Sequence, residues 1–98
     1  MQKNADEDVV ELYAVVEGHV QGVGLRYRIQ QIARGLDLSG WVRNRPEGTV
    51  ELICQGKREH LEKFLLLLDN VGFPVHITAR QSQWRPIVHP VSGFSIAS

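Results

Sequence analysis

Apolar and polar positions alternate from Val9 to Glu17, where Leu12, Ala14 and Val16 stand out of phase with Tyr13 and Val15. Period two in a β-rich segment predicts a strand buried on at least one face. Gly18–Gly24 interrupts the pattern with three glycines in seven residues, which predicts a loop. Leu25, Ile29, Ile32, Ala33 and Leu36 then recur at helical spacing and mark one apolar stripe of a helix. Ser39–Asn44 and Thr49–Gln55 are short strand-like runs on either side of Arg45-Pro46-Glu47-Gly48, a sequence with hairpin turn chemistry. Leu61, Phe64, Leu65, Leu68 and Val71 return to helical spacing, and Gly72 with Pro74 ends that helix. Val75–Arg85 is strand-like, with Val75, Ile77 and Ala79 alternating. Pro86–Gly93 is a loop, and Phe94 with Ile96 forms a short last strand.

The order β-α-β-β-α-β with a terminal strand predicts an α+β, ferredoxin-like split βαβ sandwich: two helices on one face of a mostly antiparallel sheet. A helix crosses between the first two strands, so they run parallel. The loop that leaves strand one and the hairpin that leaves strand two therefore share one edge of the sheet. Gly18–Arg26 and Asn44–Gly48 should face each other there, although about 18 residues separate Arg26 from Asn44.

The 98-residue length holds one domain, expected over residues 9–98 and preceded by a flexible acidic tail over residues 1–8. With 43% apolar residues, the chain has the material for a single core and is no disordered tail. No apolar run exceeds the five residues of Phe64–Leu68, too short to span a bilayer, and no basic and apolar leader opens the sequence. One cysteine, Cys54, excludes an internal disulfide framework and fits a reducing, cytoplasmic location. Net charge is zero but unevenly spread. Residues 1–25 carry net −4, and residues 26–46 carry net +4 through Arg26, Arg28, Arg34, Arg43 and Arg45 against Asp37. A neutral chain argues against non-specific nucleic-acid binding, while a local arginine cluster suits a small anion or a solvated surface.

Glycines between a strand and a helix let successive N–H groups turn inward as an anion nest, to which the helix N-terminus adds free amides and the positive end of its dipole. Arg26 falls in the first helical turn, where acids are favoured. A cation there is unfavourable unless an anion lies between it and the amides. The glycine spacing alone is equally compatible with a tight turn that binds nothing, since it is neither a dinucleotide fingerprint nor a Walker loop.

Joined to two further segments, the pattern becomes specific. Val20-Gln21-Gly22-Val23-Gly24-Leu25-Arg26-Tyr27, then Gly40-Trp41-Val42-Arg43-Asn44, then Glu47-Gly48-Thr49-Val50-Glu51 resembles the signatures of the acylphosphatase family in order and spacing, within a resemblance running from about Leu12 to Ile96. The resemblance implies a metal-free and cofactor-free hydrolase of carboxylic-phosphoric anhydrides. It implies that the loop amides from Val20 to Leu25 and the Arg26 guanidinium bind the phosphoryl group, and that Asn44 holds the attacking water. Its partners would be a small acyl phosphate and inorganic phosphate, with no nucleic acid or membrane, and the chain would act as a monomer. Two positions depart from the family pattern: Leu25 stands where phenylalanine is commoner, and Asp37 where glycine is common. Both concern packing and loop rigidity rather than a reacting group.

The remaining chemistry-bearing residues point elsewhere. His19 is a rival base by its pKa class, with a side chain expected to face solvent. His60, His76 and His89 lack ligand spacing. Cys54 is in phase with Val50 and Leu52 and is expected to be a buried structural thiol. Trp41 and Trp84 are expected in packing roles. A base-stacking sandwich would need aromatics on its central strands, and Thr49–Gln55 has none. A non-catalytic ligand module on the same fold, or a carbamoyl-phosphate-handling domain of the hydrogenase-maturation type, are the other readings. Against the last, Tyr27 follows Arg26 where those domains typically have proline.

Overall fold

The computed structural model describes residues 9–98; the acidic tail expected over residues 1–8 lies outside the described residues. Seven elements follow one another: β1 (Val9–His19), α1 (Leu25–Gly35), β2 (Ser39–Asn44), β3 (Val50–Lys57), α2 (Arg58–Asp69), β4 (His76–Arg85) and β5 (Phe94–Ile96). The strands form one sheet in the order β4-β1-β3-β2-β5. Every neighbouring pair is antiparallel except β2 and β5, which are parallel. This is the ferredoxin-like split βαβ sandwich, with the helices on one face.

Strand periodicity sets the core. Leu12, Ala14 and Val16 of β1, Val42 of β2, and Val50, Leu52 and Cys54 of β3 are fully buried. Leu25, Ile29 and Ala33 of α1 and Leu61, Phe64 and Leu68 of α2 meet them in one cluster. The two apolar stripes read from helical spacing are thus the faces that pack, and burial of such side chains supplies about 1.5–3 kcal/mol each before chain entropy is subtracted. Among the described residues no helix is long and apolar enough to cross a membrane.

Element ends differ from the sequence expectation where tertiary pairing overrides local pattern. β1 continues through Gly18 to His19, because both residues pair with β4. The register shifts between Glu17 and Gly18, leaving Thr78 as the additional residue on β4. That bulge breaks the alternation expected for Val75, Ile77 and Ala79: Ile77 packs against the core, whereas Ala79, opposite Glu17, is exposed. α2 stops at Asp69, and Val71 reaches the core from the loop instead.

α1 ends in a Schellman arrangement. The Leu38 N–H donates to Ala33 O at 2.9 Å and the Asp37 N–H to Arg34 O at 3.2 Å, with Asp37 in the left-handed region at φ 61°. The chain thereby reverses into β2, which carries Asn44 to its far end, on the sheet edge where β1 delivers the glycine loop.

Candidate active site

Val20 and Leu25 bracket the loop between β1 and α1, and both are buried, at 2% and 1% exposure. They staple the loop to the core from either side while the residues between them stay near the surface. Gly22 and Gly24 hold φ of 75° and 80°, a region open to glycine at no steric cost. Gly24 is the N-cap of α1 and provides no side-chain cap, and the first turn contains no acidic residue. The first intrahelical bond is Arg28 N–H to Gly24 O at 3.1 Å, so the amides ahead of it have no helical acceptor.

Arg26 stands half-buried in that first turn. The other arginines are engaged. Arg43, Arg45, Arg80 and Arg85 pair with carboxylates, Arg28 and Arg34 donate to backbone carbonyls, and Arg58 lies over the Trp84 ring. Among the described residues, Arg26 alone of the arginines has no such partner. Arg43 and Arg45 flank Asn44 in sequence, but Glu51 and Glu47 neutralise them: Arg43 Nε meets Glu51 Oε1 at 2.7 Å and Arg45 Nε meets Glu47 Oε2 at 2.9 Å. The uncompensated positive charge at this edge therefore belongs to Arg26 and the helix terminus.

Asn44 ends β2, opposite Val50. Its Oδ1 is buried and has no hydrogen-bond partner. An unsatisfied buried acceptor costs about 1–3 kcal/mol, so it marks a place where a donor belongs. A cleft of about 170 Å³ connects it to the loop, lined by Val20, Gly22, Gly24 and Arg26 on one side and by Asn44 and Ile96 on the other. The two sides are tied together by Gln21, whose Nε2 donates to Arg45 O and to Thr49 O, each at 2.8 Å. The glycine loop and the hairpin thus face each other as the topology requires.

Behind the hairpin, Glu51 accepts from Tyr13 Oη at 2.6 Å and from Arg43. Burial works to raise its pKa, but the hydrogen bonds from Tyr13 and Arg43, with the charges of Arg43 and Arg45, outweigh it and hold the carboxyl below its ordinary range. The same hydrogen bond, with burial, raises the Tyr13 phenol. Burial pushes the Cys54 thiol far up, which keeps it protonated and inert in the core. His19 is exposed, on the last residue of β1. Among the described residues no group of three or more His, Cys, Asp or Glu side chains could hold a metal ion.

Several features were not foreseen from sequence. Ile96 and Tyr27 line the cleft, and Gln21 acts through its side chain rather than only its amide. No local pattern announces such partners, because they lie 24 and 28 residues away from Gln21. A larger cleft of about 610 Å³ opens on the opposite face of the sheet, between Trp41, Ile53 and the loop carrying Val88 and Val91. It contains none of the glycine-loop residues.

The acylphosphatase family model matches residues 12–96. An acylphosphatase of Nocardia farcinica is 39% identical over 87 residues, covering 89% of this chain and 87% of that protein. One from Methanospirillum hungatei is 50% identical over 56 residues, 57% of this chain and 62% of the relative, so this match spans less than two thirds of that protein's length. The crystal structure of the Bacillus subtilis acylphosphatase superposes with a TM-score of 0.87 at 31% identity, covering 91% of this chain and 99% of that one. Family model, relatives and superposed structure converge on the same segment that carries the loop, Arg26 and Asn44, and the chain belongs to the acylphosphatase family of hydrolases.

Proposed function

We propose that this protein hydrolyses acyl phosphates to a carboxylate and inorganic phosphate, using the amides of Val20–Leu25 and the Arg26 guanidinium to bind the phosphoryl group and Asn44 to orient water. The observation that carries this reading is one cleft shared by an arginine without a partner among the described residues, an uncapped helix N-terminus and the buried, unsatisfied Asn44 Oδ1. Each is unfavourable alone, and an anion together with a water molecule would satisfy all three.

The chemistry asks little of the protein beyond placement. A carboxylate is a good leaving group, so positioning and electrostatic stabilisation dominate. Arg26 can fork two N–H donors onto phosphoryl oxygens, and the loop amides are donors that need no reorientation as charge shifts. Asn44 Oδ1 accepts one O–H of the water and aims its oxygen at phosphorus. The new P–O bond forms as the bond to the acyl oxygen breaks, and the carboxylate departs with the electron pair. An amide is no general base, so the water's proton passes to a phosphoryl oxygen of the substrate itself. The protein acts as a monomer in the cytoplasm, a setting that suits its lone, buried thiol.

Phosphate release from benzoyl, acetyl and carbamoyl phosphate, against p-nitrophenyl phosphate as a monoester, tests this directly. Acyl phosphates should be cleaved with the monoester untouched, in the presence of a chelator as in its absence. No release from any acyl phosphate, or equal cleavage of the monoester, would overturn it.

A further inference from the structure

We infer that Gln21 is a positioning residue, which sets the distance between the phosphoryl-binding loop and Asn44 through the two hydrogen bonds of its side-chain amide. The inference rests on Asn44 being the water-orienting group. The sheet order explains why a link is needed. β1, which delivers the loop, and β2, which ends in Asn44, are not neighbours, because β3 lies between them. Two strand spacings, about 9–10 Å, therefore separate the two halves of the site. In-line attack requires the water and the phosphoryl group to be placed to well under that scale, and a displacement of about 1 Å can cost about 10²-fold in rate.

Gln21 spans the gap. Its Nε2 donates to Arg45 O, the residue after Asn44, and to Thr49 O, the residue before β3, both at 2.8 Å. These are the only side-chain hydrogen bonds between the loop and the hairpin among the described residues. One side chain meets two carbonyls because a primary amide carries two donors. Asparagine is one methylene shorter, and an ionised glutamate has no donor at all. The carbonyls do not depend on Gln21 for their pairing: Arg45 O also accepts from Gly48 N–H at 3.0 Å, and Thr49 O from Arg45 N–H at 2.9 Å. Losing Gln21 therefore orphans neither group, and the hairpin keeps its turn. What loosens is its distance from the loop.

The test is a double-mutant cycle on kcat and on inhibition by inorganic phosphate, with Gln21→Ala and the nearly isosteric Gln21→Met, each alone and combined with Asn44→Ala. Both Gln21 variants should lower kcat about 10- to 100-fold, because Asn44 loses its alignment. Phosphate inhibition should shift by no more than about twofold, since the amides and Arg26 belong to the loop itself, and adding a Gln21 variant to Asn44→Ala should lower kcat by no more than about twofold further. Loss of phosphate inhibition in step with kcat would overturn the inference, as would a full Gln21 effect on the Asn44→Ala background, unchanged kcat, or unfolding of both Gln21 variants. Wild-type kcat in Asn44→Ala alone would identify the failure as that of the water-orienting reading, and would remove the inference with it.

Discussion

Arg26 can meet a phosphoryl group with two parallel N–H donors in a fixed plane, which a lysine ammonium cannot reproduce. Among the described residues no carboxylate or carbonyl holds Arg26, whereas the other arginines are held by Glu11, Glu47, Glu51, Asp69, backbone carbonyls or Trp84. Arg26→Lys should lower kcat/KM on the order of 10²-fold or more while the far-ultraviolet circular dichroism stays that of the wild type. A folded variant with near-normal turnover would remove Arg26 from the site. As a candidate, Arg26 was legible in the sequence, since a cation in a helix first turn beside glycines contradicts the helix dipole. Asn44 became a candidate only through the family resemblance. Nothing local shows that its Oδ1 ends up buried without a partner, which is a consequence of packing.

At the scale of elements, strands and helices were readable wherever one face is buried: the α1 stripe of Leu25, Ile29 and Ala33 and the β1 set of Leu12, Ala14 and Val16 are the buried residues. Ends were less readable, because they depend on partners. β1 extends to His19 through its pairing with β4, and the β4 bulge at Thr78 has no signature in its own segment. The end of α1 bears on stability. Asp37 occupies the left-handed position after the helix, at φ 61° and exposed, where glycine meets no steric penalty. Asp37→Gly should raise stability by about 0.5–1 kcal/mol, the relief of strain exceeding the entropy glycine adds to the unfolded chain. Thermal denaturation should then show a midpoint several degrees higher. A lower midpoint would mean that the aspartate is not strained there.

Across the whole molecule, the sheet divides labour between its faces. The helix side holds the apolar core, and the other side holds buried charge: Glu11 with Gln55 and Arg85, and Glu51 with Tyr13, Arg43 and Arg45. Glu51 has a folded-state pKa below its ordinary 4.5, so its contribution is full above the unfolded value and is lost as pH falls through the depressed one. In urea denaturation the stability gap between wild type and Glu51→Gln should be wide at pH 7 and close as pH falls below 4.5. A gap independent of pH would contradict that assignment. The same network backs the hairpin that follows Asn44. Under the proposed function, water orientation and anion binding lie on separate elements that meet at one sheet edge. That separation is the central claim, and one measurement bears on it most directly: phosphate-inhibition curves and kcat for wild type and Asn44→Ala, with folding checked by circular dichroism. The account predicts a large fall in kcat with phosphate inhibition nearly unchanged, because the glycine loop and Arg26 remain in place. Joint loss of turnover and phosphate binding in Asn44→Ala would contradict it.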